Sequence, residues 1–149
     1  MSASPMQRRE PIFTMPGLVL ATILILVAIQ GARTLLSDAS DVGLVFDFGF
    51  LPAQWSVAFG GADAAQVIAA AGQGETAELH SAIAGYVMQD GEVRPWSALT
   101  YALLHGSWMH VGLNSVWLAA FATPVVRRTG TARALALFVA AAIGGAIAH

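Results

Sequence analysis

Between Ser107 and Phe121 an apolar run carries, on one side, the polar side chains Ser107, His110 and Asn114, of types that can do chemistry. Offsets of three and seven residues return to nearly the same face of an α-helix, so the three share a side, and Trp117 and Phe121 extend the stripe. An imidazole or carboxamide left unpaired in hydrocarbon is costly, so this face must turn toward protein or a hydrated cavity. At a rise of about 1.5 Å per residue, His110 lies about 5 Å and Asn114 about 10 Å inside the start of the helix, a depth that water reaches. Both side chains donate hydrogen bonds without carrying charge. Neutral donors at a shallow cavity suit the oxyanion that develops in acyl transfer. Taken singly, each also fits a plain role as interhelical glue, at about 0.6 kcal/mol per contact.

Other chemistries are narrowed by what surrounds these residues. The chain has no cysteine, which removes thiolate nucleophiles, thiolate metal sites and disulfides. Ser107 and Ser115 are the nearby hydroxyls, but a nucleophilic serine needs an adjacent base, and Ser115 is rotated about 100° from Asn114. Neither is assigned as nucleophile. His105 and His110 would stand about 140° apart on a helix, which is wrong for a metal or haem ligand pair. Zinc hydrolases of the His-Glu-x-x-His type need a glutamate, and no acidic residue occurs from Gly106 to His149. No metal ligand set and no cofactor is therefore assigned.

The elements that must position this face are those of a membrane protein. Of 149 residues, 56% are hydrophobic and 11% charged, outside the range of an ordinary soluble domain. The formal charge of −2, with no lysine and scattered arginines, argues against a nucleic-acid partner. Residues 1–16 form a polar tail with Arg8 and Arg9, and 17–36 are apolar for long enough to cross a bilayer core of about 30 Å. Arg33, near the end of this first span, has a stem long enough to reach the headgroups and needs no functional role.

Residues 37–106 form an outer loop that holds eight of the nine acidic residues. Within it, Phe46, Phe48, Phe50 and Trp55 are expected to form an amphipathic segment lying in the interface, the alternative being a small folded loop domain. Asp63 is placed to cap a short helix through Ile68 to Ala71. A second span covers 107–126, with Ser107 as N-cap of a helix beginning at Trp108. A turn at 127–131 contains Gly130, and a third span, 132–149, is cut off by the end of the sequence. Within that span Gly144-Gly145 would admit a close neighbouring backbone, and His149 is expected at the interface. Arginines 8, 9, 127, 128 and 133 place the N-terminus and the second connection in the cytoplasm.

The stretch Trp96 to Gly130 resembles the end of the first loop and the second transmembrane helix of rhomboid intramembrane serine proteases. Their HxxxxHxxxN signature is matched by His105, His110 and Asn114, flanked by Trp96, by the LT-x-x-LLH lead-in and by Gly130. The resemblance implies an all-α, polytopic transmembrane helical bundle, rhomboid-like and truncated after its third helix. It implies that His110 and Asn114 help form an oxyanion hole, with His105, Trp96, Ser107 and Gly130 as structural supports. In the family the nucleophilic serine lies in a Gly-x-Ser-Gly motif on the fourth helix and pairs with a histidine on the sixth. Both are expected to be absent from this chain, which should be inactive by itself. Ser97 stands where the family often has arginine, with Arg94 a possible substitute, and Val126 where glutamate is frequent. Expected partners are transmembrane protein substrates and the lipid bilayer, and the expected location is a bacterial inner membrane. The rival reading is a non-catalytic rhomboid-like protein that binds transmembrane clients.

Overall fold

The computed structural model describes residues 15–148, and all regular structure among them is helical. In chain order α1 (Gly17–Arg33) leads into α2 (Asp38–Phe48), α3 (Pro52–Ala58), α4 (Ala64–Ala71) and α5 (Ala77–Asp90). Then come the single turn α6 (Ser97–Thr100), a 3₁₀ turn at Tyr101–Leu103, α7 (Trp108–Trp117), a π-turn at Leu118–Ala122, α8 (Thr123–Thr129) and α9 (Thr131–Ile147). The tail arginines Arg8 and Arg9, and His149, lie outside the described residues.

Local chemistry accounts for most helix starts. The Ser37 hydroxyl accepts the Ser40 N–H at the head of α2, and Asp38 and Asp41 add negative charge where the helix dipole favours it. Asp63 and Gln66 form a reciprocal capping box on α4, and Pro52 opens α3 where its missing N–H costs nothing. From Trp108 to Thr129 the helix is continuous for 22 residues, long and apolar enough to cross a membrane. Pro124 cannot donate to the carbonyl of Ala120, and its ring crowds that turn, so the chain widens into the π-turn just before it.

Helix ends differ from the sequence expectation in three places. Helix α1 stops at Arg33, and α8 runs on to Thr129, so Arg127 and Arg128 sit in its last turn. The connection expected over 127–131 contracts to Gly130, whose φ of 83° and ψ of 161° belong to a region essentially restricted to glycine. That conformation lets two helices follow one another with no further loop.

Helix α1 runs antiparallel to the Trp108–Thr129 helix: Gly31 lies under the Trp108 ring at one end, and Val19 packs with Val126 and Ala134 of α9 at the other. The loop folds as a series of short helices, with Phe46 and Phe48 on α2 and Trp55 on α3. Gly49 ends α2, and Phe50 turns back to lie 5.4 Å from the Trp55 ring and 6.0 Å from the Tyr101 ring. Buried Gln54 donates to the Val87 carbonyl, joining α3 to α5. The last carbonyls of α2 are satisfied from α6 and the residue before it: Trp96 Nε1 donates to Asp47 O at 2.9 Å and Thr100 Oγ1 to Phe48 O at 2.6 Å. Arg94 pairs with the Asp47 carboxylate at 3.0 Å, beside that same helix end.

Tyr101 ties the loop to α9 by donating to Ala142 O at 2.8 Å. A Cβ built on Gly145 would stand 2.6 Å from the Tyr101 hydroxyl, whereas nothing lies within 4 Å of one on Gly144. Among the described residues the close approach at the glycine pair is thus made by the Tyr101 side chain, on Gly145. Substituting Gly145→Ala should cost about 1–2 kcal/mol by displacing the hydroxyl from Ala142. Removing that hydroxyl with Tyr101→Phe should make the second substitution much cheaper. A double-mutant cycle on unfolding in detergent reads the coupling, and strict additivity would contradict the contact.

Candidate functional site

The site forms where the loop runs into α7. Leu104 to Ser107 is non-helical chain between the 3₁₀ turn and the helix, and Ser107, with φ −161° and ψ 161°, accepts the His110 N–H on its hydroxyl at 3.2 Å. This cap fixes the first turn of α7, so His110 and Asn114 follow at helical spacing on one face.

His105 lies at the centre and is only 4% exposed. Its Nδ1 lies 3.2 Å from the Leu103 carbonyl, an acceptor only, so the proton is assigned to Nδ1. Nε2 is then an acceptor, and Asn114 Nδ2 donates to it at 2.8 Å. The carboxamide nitrogen keeps a second hydrogen beyond the one given to His105. His110 is exposed, and its ring meets His105 edge-on at a centroid distance of 4.8 Å. All three members of the HxxxxHxxxN spacing are therefore neighbours, joined through His105.

Asn114 and His105 also line an apolar cleft of about 790 Å³ between α1, the Trp108–Thr129 helix and α9. Its walls include Leu18, Ile25, Trp117, Phe121 and Phe138. The Trp117 and Phe121 rings stack at 5.3 Å and flank the cleft below Asn114. His110 is not part of the lining and stands at the surface end of the helix. Among the described residues the Ser115 hydroxyl is buried with no hydrogen-bond partner, and the Ser107 hydroxyl is engaged in capping. Trp96 and Gly130 lie away from the cluster, at the end of α2 and between α8 and α9.

Sequence reasoning missed Arg33 and Asp41. The Arg33 guanidinium is engaged within the protein: its side chain is 11% exposed, its Nη1 donates to His105 O at 2.7 Å, and Nε and Nη2 grip both Asp41 oxygens at 2.6 and 2.9 Å. An arginine at the end of a span, with an acid eight residues on, was the available signal. The Arg33 hydrogen bonds hold the Asp41 carboxyl below the usual carboxylate range. The stabilisation from that lowered value is full above the ordinary aspartate value and is lost as pH falls through the lowered one.

Burial pushes the His105 imidazole below the ordinary histidine value; the hydrogen bond to Leu103 O pulls it back up by less, and its neighbours His110 and Arg33 add still smaller downward contributions. The unfolded chain then binds the proton more readily, so stability is full above about pH 6.5 and declines as pH falls toward the lowered value. Protonation would also turn Nε2 into a donor and break its bond with Asn114. Thermal melts from about pH 7.5 down to about pH 5.5 should show this decline, and His105→Gln should flatten it. A slope unchanged by the substitution would assign it to other groups.

Comparison with known proteins finds no match among curated proteins or solved structures. The family model described as the Rhomboid domain matches residues 92–149. That stretch, less than half of the chain, carries Trp96, His105, His110, Asn114 and Gly130, together with the helix long and apolar enough to cross a membrane, and is similar to the Rhomboid domain.

Proposed function

We propose that the complete protein is a membrane-embedded serine endopeptidase that cleaves substrates in or beside their transmembrane segments. In this reading Asn114 and His110 stabilise the oxyanion of the tetrahedral intermediate. The observation that carries it is the fixed Asn114 carboxamide, which lines the cleft and is held by His105 Nε2 at 2.8 Å. A donor oriented before reaction needs no reorganisation when charge develops, which is the source of its catalytic value. Its low-dielectric surroundings raise the strength of each hydrogen bond it makes.

The nucleophilic serine and its histidine base are assigned to parts of the protein outside these 149 residues, and this chain contributes oxyanion donors alone. The N-terminus is placed in the cytoplasm and the loop of α2 to α6 at the outer surface, so that water and the scissile bond meet near the head of α7. The bilayer and transmembrane proteins are the proposed partners, and a bacterial inner membrane the proposed location.

A second reading, binding of transmembrane clients without cleavage, is favoured by one observation. The cleft beside Asn114 is walled almost wholly by apolar side chains, as a site for a lipid-soluble helix would be.

The full gene product treated with a fluorophosphonate probe should be labelled at serine, and Asn114→Ala should lower kcat for a transmembrane substrate by about 10²- to 10³-fold with little change in KM. Absence of labelling in folded protein that still captures transmembrane peptides would replace the protease reading with the client-binding one.

A further inference from the structure

His105 sits on chain that belongs to no helix, so its ring cannot be positioned by a helical hydrogen-bond ladder. Its carbonyl instead accepts a charge-assisted bond from Arg33 Nη1 at 2.7 Å, across 72 residues of sequence. The guanidinium is in turn held flat by its two-point grip on Asp41, at the head of α2. Planar fork-to-carboxylate pairing fixes direction as well as distance, which a lysine ammonium cannot do. One side chain thus joins the end of α1, the start of α2 and the segment leading into α7. The ring of that same His105 residue holds Asn114 Nδ2.

We infer that Arg33, oriented by Asp41, is a positioning residue for Asn114, acting through the main chain and ring of His105. The inference rests on the oxyanion role proposed for Asn114. Loosening the clamp lets the His105 segment drift, and the carboxamide loses its fixed direction without losing its place on α7. Misplacement of a donor by about 1 Å is enough to cost up to about 10²-fold in turnover.

The test compares Arg33→Gln and the milder Asp41→Asn in the full gene product, each with and without Asn114→Ala. Arg33→Gln should lower kcat by about tenfold or more with KM nearly unchanged, and Asp41→Asn by less. In the Asn114→Ala background both should alter kcat by less than about twofold. Equal proportional losses in the two backgrounds, or no loss from Arg33→Gln, would overturn the inference.

An activity-independent measurement accompanies these. The asparagine side-chain amide resonances abolished by Asn114→Ala should shift in Asp41→Asn. If the protein proves to lack cleavage and serine labelling, the protease reading falls and these resonances alone decide the positioning role. Displaced resonances support the clamp, and unmoved ones refute it.

Discussion

A histidine withdrawn from water must find partners for both ring nitrogens and for its backbone, and the site is organised by how His105 does this. Nδ1 is satisfied by a carbonyl two residues back, Nε2 by the Asn114 amide, and the main-chain oxygen by Arg33. Each bond recruits a different element, so the neutral ring becomes a junction among the loop, α7 and α1. Burial that favours the uncharged imidazole is what keeps Nε2 an acceptor.

The same accounting of polar groups explains the loop. The end of α2 leaves carbonyls without helical partners, and Trp96 and Thr100 supply donors from 49 and 52 residues away. Arg94, in front of Trp96, reaches the Asp47 side chain beside one of those carbonyls, where Ser97 offers no long cation. Ser97 is instead buried, with its hydroxyl receiving the Trp55 indole N–H. Aromatic packing around Phe50 and the Tyr101 bond to α9 complete a layer anchored on both sides of the His105 segment.

Below that layer the surroundings are almost entirely apolar. A polar pair at the rim of an apolar cleft is strongly held because little competes with its hydrogen bond, and for the same reason it is costly to break. The π-turn caused by Pro124 lies along this wall, and the stacked Trp117 and Phe121 rings carry the apolar surface from α7 across it. The histidine–asparagine pair and the cleft are thus parts of one surface of the long helix.

The sequence by itself determined what depends on near neighbours in the chain. The capping of α4 by Asp63 and of α7 by Ser107, the shared face of His110 and Asn114 and the turn at Gly130 follow from helical period, turn chemistry and side-chain-to-backbone bonds spanning a few residues. Tertiary structure decided the rest. Nothing local shows that Arg33 binds the His105 carbonyl 72 residues on, or that Tyr101 meets Gly145. A buried charge or carbonyl has to be paired, but which partner it takes is set by the segments that folding brings alongside, and that choice is made in space, not along the chain.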